Sequence, residues 1–295
     1  MPAFMAEVGM PYWIDLTTSD VRKSARFYSE IMGWEVSSAN ADADAGVEAK
    51  AEYRMARISG LPIAGFIPQP ESAPFPDTWI TYFLSANIDG DCRRAIELGG
   101  RVLAEPTDVE MGSMALLADP AGAMFGLIEP TGDEKFVAGG EPGCPVWHEL
   151  TATTNHTAAV DFYGELFDWE VMTTDTAAAE AATEMGLEEG EFEYATALAD
   201  GAAFVGMWNA KGNFPPQVPS FWQTYLGVRD TEAAATKAAE LGGEVIREPW
   251  DSPFGRMCIL ADSTGATITI CEVEDAPDEE PRESDDVLNL DFPES

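Results

Sequence analysis

Short runs rich in β-branched and aromatic residues alternate along the chain with helix-period segments. YWIDLTT, residues 12–18, reads as a strand. The segment after it can be capped by Ser19 or Asp20 and ends near Gly33, so it predicts a helix. WEVSS, EYRMARIS and LPIAGFIP then read as three strands. A second unit follows, with strand TWITYFLSA, helix DCRRAIEL closed by Gly99 and Gly100, and strands RVLAEP, SMALLAD and AMFGLIEP. The remainder repeats this order, with helices near 156–166 and 231–241. The pattern predicts an α+β protein of four βαβββ modules.

The chain also repeats itself. Residues 79–129 match 222–272 at an offset of 143 with no gap, and 20 of 51 positions are identical. WxTY recurs (Trp79, Thr81, Tyr82; Trp222, Thr224, Tyr225), as do ELGG and LAD-x-x-GA. Earlier, WIDLTT at Trp13 matches WHELTA at Trp147, and FYSEIMGWEV at Phe27 matches FYGELFDWEV at Phe162. Two copies of one domain explain this economically. The Gly- and Pro-rich stretch TGDEKFVAGGEPGCP, which shows no periodicity, reads as the linker. The expected division is an N-terminal domain over 1–130, a linker over 131–145, a C-terminal domain over 146–273 and an acidic tail over 274–295.

Charge changes this picture mainly by exclusion. Against 53 Asp and Glu stand 16 Lys and Arg, a formal charge of −37, which repels nucleic acid and anionic membranes. From Glu272 onward there are 11 acidic residues and one arginine, so the tail is expected to be largely disordered. Four scattered cysteines without a CxxC pair read as reduced thiols. No secretory or membrane-spanning apolar stretch is present, and the expectation is a cytoplasmic protein.

The phrase D-x-x-x-x-A-x-x-FY-x-x-x-x-GW after the first strand, with ELGG and DP-x-G before the last, resembles the glyoxalase/bleomycin-resistance/extradiol-dioxygenase (vicinal oxygen chelate) superfamily. The W-x-DL and WHEL openings look like its tandem actinobacterial glyoxalase-like branch. The resemblance spans residues 9–273. It implies curved mixed sheets, each forming a cup, and two domains packed as paired subunits are in simpler relatives, in a monomer or a homodimer. It also implies a divalent metal held by His and Glu at four cleft-facing positions.

Those positions fall near Trp13, Ile63 to Phe66, Ile80 and Gly126 in the first domain. In the second they fall at Trp147 or His148, within Ala202 to Gly206, at Gln223 and at Thr269. At most one good ligand survives, where a divalent site needs three or more, so no cofactor is expected, with a divalent metal as the alternative. Counting back from Tyr163 puts His148 on the cleft face; matching WHEL to WIDL puts Trp147 there and His148 behind. Both alignments remain open, as does a core or interface role for His148. The other histidine, His156, sits at a helix start and is expected to be solvated.

Asp15 and Glu149 occupy matching places and, with His148, are the candidate acid/base groups; the alternative is that the carboxylates pair with arginines or meet solvent. Trp13, Trp147, Tyr82 and Tyr225, together with Gln223, Thr224 and Thr269, are the candidate ligand-binding residues, and Trp79 and Trp222 recur beside them. Core packing is the competing explanation for these aromatics. Three functions compete: binding of a small organic molecule without metal; a metal-dependent lyase (lactoylglutathione lyase-like) or extradiol-type dioxygenase; and a scaffold contacting partners through the acidic tail. The second domain, with His148, Gln223, Thr224 and Thr269, is the more polar and is the expected working site.

Overall fold

The internal repeat is reproduced strand for strand in a computed structural model of the chain, which describes residues 3–38, 53–70, 75–132, 136–173, 193–252 and 254–275. The acidic tail beyond 275 lies outside the described residues. The N-terminal half runs β1 (Ala3–Met5), β2 (Pro11–Thr18), α1 (Val21–Met32), β3 (Glu35–Ser38), β4 (Arg54–Ile58), β5 (Leu61–Pro68), β6 (Thr78–Leu84), α2 (Ile88–Glu97), β7 (Arg101–Val109), β8 (Gly112–Ala118) and β9 (Met124–Pro130). After β10 (Phe136–Ala138) the C-terminal half gives β11 (Pro145–Ala152), α3 (His156–Phe167), β12 (Glu170–Thr173), β13 (Tyr194–Ala199), β14 (Ala202–Asn209), β15 (Phe221–Val228), α4 (Thr231–Glu240), β16 (Glu244–Ser252), β17 (Gly255–Ala261) and β18 (Thr267–Glu272).

Each half builds one curved eight-stranded mixed sheet, ordered β3-β4-β5-β2-β6-β9-β8-β7 and β12-β13-β14-β11-β15-β18-β17-β16. In both, the first long strand pairs parallel on one side and antiparallel on the other. The stretch read as a structureless linker carries β10, which pairs antiparallel with β1; Phe136 and Val137 supply the β-favouring residues that the Gly and Pro around them obscure.

Asp20 caps α1 by accepting from the Lys23 N–H at 3.1 Å, and Gly33 ends it in the left-handed region. The repeated LAD-x-x-GA phrase is a turn device: Asp119 accepts from the amides of Ala121 and Ala123, and Asp262 from those of Thr264 and Ala266.

The core is divided between the halves in an unexpected way. One cluster joins Ile14, Leu16, Phe27, Tyr28 and Trp79 of the first half to Leu226, Leu260, Ile268 and Ile270 of the second. The other joins Phe83, Leu117, Phe125 and Leu127 to Leu150, Phe162, Tyr163 and Trp222. A β-carbon on Gly243 would stand 2.6 Å from the Phe27 ring, and one on Gly100 would stand 3.0 Å from Phe162. ELGG therefore stops a helix and also receives a phenyl ring from the other half.

Candidate functional site

Strand alternation sorts the candidate residues. On β11, Leu150 and Ala152 enter the shared core, so Trp147 and Glu149 face the other side of the sheet. On β2, Ile14 and Leu16 do the same and leave Asp15 on the opposite face, with Trp13 joining a separate cluster there. These faces, turned away from the shared core, are the ones that correspond to the cups the family resemblance implies.

In the C-terminal cup Glu149 is the centre of a hydrogen-bonded group. Its Oε2 accepts from the Tyr194 hydroxyl at 3.0 Å; its Oε1 accepts from the Tyr225 hydroxyl at 3.1 Å and from Gln223 Nε2 at 3.2 Å. Trp147 Nε1 donates to the Tyr194 oxygen at 3.3 Å, Gln223 Nε2 also donates to Thr151 Oγ1, and Thr269 Oγ1 donates to Gln223 Oε1. Strand register dictates the grouping, since Glu149 lies opposite Gly206 on one side and Gln223 on the other, while Tyr225 lies beside Thr269.

The N-terminal cup carries the same motif. Asp15 Oδ1 accepts from Trp13 Nε1 at 2.9 Å and from the Tyr53 hydroxyl at 3.0 Å. Tyr53, immediately before β4, and Tyr194, the first residue of β13, were not singled out from sequence. Their signal was available, because the pair EY at 52–53 recurs at 193–194. Gly65 and Gly206 make room for them: a β-carbon there would lie 2.0 Å and 1.8 Å from the respective tyrosine hydroxyls.

The cups differ in what surrounds the motif. In the first, Trp13, Met55, Ile80, Tyr82 and Ile128 are buried in one apolar cluster, with Met111, Met114 and Leu116 packed on it. Asp15 is wholly buried beneath. In the second, Trp147, Tyr194, Gln223 and Tyr225 are partly exposed and Glu149 only 9%. Ile80 and Gly126 are replaced by Gln223 and Thr269 in the repeat. The first face is covered by its own apolar side chains; the second is more polar and its side chains are less fully buried.

Burial governs the acid/base properties. Desolvation raises Asp15 from 3.8 to about 6 against the opposing pull of Trp13, Tyr53 and Tyr82. It likewise raises Glu149, opposed by Tyr194, Tyr225 and Gln223. In neither case does a cation contribute.

The remaining candidates lie elsewhere. His148 is on the face of β11 that meets the first half, where its Nδ1 lies 3.3 Å from Thr81 Oγ1 and 3.2 Å from Thr224 Oγ1. Burial depresses it to about 3, so it is a neutral imidazole at physiological pH. Thr224 pairs opposite His148 and so shares its face, away from the cup in which ligand contact was expected. Trp79 and Trp222 are also turned away, each donating its indole N–H to a core tyrosine, Tyr28 and Tyr163. His156 does begin a helix but is buried and not solvated; its Nε2 lies 2.9 Å from the Met207 carbonyl oxygen, which the sequence position alone does not reveal.

Among the described residues the cups do not bring together three side chains of the kind that hold a divalent cation. Among the described residues only one group of three His, Cys, Asp or Glu side chains is close enough to share an ion: Asp230, Glu232 and Glu272. They are exposed at the start of α4, where Asp230 caps the helix, Glu272 accepts from the Thr231 amide and Glu232 pairs with Arg256.

Residues 12–127 and 148–270 both match the Glyoxalase/Bleomycin resistance protein/Dioxygenase superfamily. The chain belongs to this superfamily. It is 31% identical over 271 residues to "Putative glyoxylase CFP32" of Mycobacterium tuberculosis, covering 89% of this chain and 94% of that protein. It is 30% identical over 279 residues to the anthracycline biosynthesis protein DnrV of Streptomyces peucetius, covering 90% and 94%. In fold it is similar to the Mn(II)-bound glyoxalase of Novosphingobium aromaticivorans, with a TM-score of 0.56, 14% identity and 90% and 83% of the two chains covered. It is also similar to homoprotocatechuate 2,3-dioxygenase of Brevibacterium fuscum, with a TM-score of 0.57, 13% identity and 94% and 75% coverage. In this tandem superfamily member Asp15 and Glu149 occupy matching positions of the two halves. No helix among the described residues is long and apolar enough to cross a membrane.

Proposed function

We propose that this superfamily member binds a small organic molecule in its C-terminal cup without a bound metal. The observation carrying this reading is the contrast between the cups: Trp147, Tyr194, Gln223 and Tyr225 are half-buried polar and aromatic groups around Glu149, whereas their N-terminal counterparts are buried in an apolar cluster. Ligand would lie against the aromatic rings with Glu149 at the base, and Thr269 and Gln223 would hold the carboxylate's orientation. Where binding leads to turnover, Glu149 is the group able to take a proton, because burial makes it a stronger base than an exposed carboxylate. Asp15, sealed beneath Trp13 and Tyr82, has a structural role in this reading, and His148 and Thr224 hold the two halves together.

Metal-dependent lyase or extradiol-type dioxygenase chemistry is the alternative, suggested by the names of the structural neighbours. The deciding experiment combines elemental analysis of protein purified without chelator with a small-molecule screen read by thermal shift and tryptophan fluorescence. The expected result is no stoichiometric metal, together with aromatic or apolar hits whose binding is lost in Trp147→Ala. A stoichiometric metal whose removal abolishes ligand binding would overturn the proposal.

A further inference from the structure

Glu149 is a buried carboxylate that has no counter-charge among the described residues. The groups that act on it are Tyr194, Tyr225 and Gln223, all neutral, and no lysine, arginine or histidine is among them. Leaving a carboxylate in such a place is unfavourable unless something compensates. The chain as a whole makes this worse, with 53 acidic residues against 16 basic.

The hydrogen-bonding inventory adds a second observation. The Trp147 indole N–H is committed to the Tyr194 oxygen, and the Tyr194 and Tyr225 hydroxyl hydrogens to Glu149. Both Gln223 Nε2 hydrogens have acceptors, in Glu149 and Thr151, and the Thr269 hydroxyl donates to Gln223. Every donor of the group is spent inside it except the hydroxyl hydrogen of Thr151, which is fully buried. Among the described residues a carboxylate or phosphate ligand would find no exposed donor of this group to receive it and would face Glu149 besides. What the cup offers is negative charge, oxygen lone pairs and the π faces of an indole and two phenols on β11, β13 and β15.

We propose that the C-terminal cup is a receptor for an organic cation, a protonated or quaternary amine carried on an apolar or aromatic frame. This rests on the reading that the C-terminal cup is the ligand site. The ammonium supplies the charge that Glu149 lacks, the rings of Trp147, Tyr194 and Tyr225 receive its alkyl or N–H groups, and the acidic surface raises the local concentration of such a ligand.

The test uses the full chain and four probes of similar size: benzyltrimethylammonium, benzylammonium, benzyl alcohol and benzoate. Affinities are measured by calorimetry at low and high sodium chloride. Both cations are expected to bind at least tenfold more tightly than benzyl alcohol, with benzoate weakest. In Glu149→Gln, which keeps the side chain's volume, that advantage should vanish while benzyl alcohol binding persists. If benzyl alcohol matches the cations and Trp147→Ala removes both, the cup is the ligand site but the cation assignment is wrong. If the cation preference survives Glu149→Gln and disappears at high salt, it reflects the acidic surface and the inference is overturned. If no probe binds, the ligand-site reading falls and the inference with it.

Discussion

Asp15 and Glu149 occupy corresponding positions yet differ in what their surroundings permit. Asp15 is wholly enclosed, and its Oδ2 has no hydrogen-bond partner among the described residues. Its folded value of about 6 exceeds the ordinary 3.8, so between those values the folded chain holds a proton that the unfolded chain has released. The resulting stabilisation is complete below pH 3.8, declines as pH rises and is gone above about 6. At about 1.4 kcal/mol per pH unit, the total is roughly 3 kcal/mol. Asp15→Asn, which cannot ionise, is therefore expected to be more stable than the native chain at pH 7 and to lose that advantage by pH 4. Urea unfolding across this range measures it. A variant equally destabilised at both pH values would show that the carboxyl group is needed for its geometry and that its ionisation is immaterial.

The strands β6, β11 and β15 place His148 between Thr81 and Thr224, and the sign of its linkage is opposite. Its folded value, about 3, lies below the ordinary 6.5, so stability is full above 6.5 and falls as pH drops toward 3. His148→Leu removes the titrating group and leaves the two threonine hydroxyls, 3.2 Å apart, to bond each other. Relative to the native chain, the variant should gain about 2 kcal/mol between pH 6 and 4.5. Cup affinity should be unchanged, and a lost ligand response in this variant would restore His148 as a functional group. From the sequence, two alignments of WHEL left its face undecided; it became visible only once the register of β11 against β15 was fixed. The module order was legible because each strand and helix is present twice, so a weak signal in one copy is supported by the other. Tyr53 and Tyr194 were harder to see, since their approach to the carboxylates depends on pairing across β5 and β14 and on the glycines there. Thr224, Trp79 and Trp222 show the opposite failure: repetition at equivalent positions marks shared constraint, and here the constraint is packing between halves.

At the scale of the whole molecule, the two core clusters each draw on both halves. Tandem domains that fold separately would keep their cores to themselves and meet through a smaller, more polar surface. Here Phe27 lies against Gly243 and Phe162 against Gly100, while the Trp34 and Trp169 indoles donate across the junction to the Gly143 and Gly9 carbonyls. Separating the halves would expose Leu226, Ile268 and Ile270 on one and Phe83, Phe125 and Leu127 on the other, faces that water does not tolerate without association. The expectation is a single cooperative unfolding transition for the full chain, reported identically by far-UV dichroism and tryptophan fluorescence. Residues 1–140 expressed alone should aggregate or self-associate, and co-expression with 141–295 should restore a one-to-one complex seen by size-exclusion chromatography with light scattering. Two separated transitions, or a well-behaved monomer of residues 1–140, would show that the shared clusters do not govern folding. Because β11 packs on one face against the first half and forms the Glu149 cup with the other, a cooperative outcome would also mean that the N-terminal half, its own cup covered by apolar side chains, supports the ligand site of its neighbour.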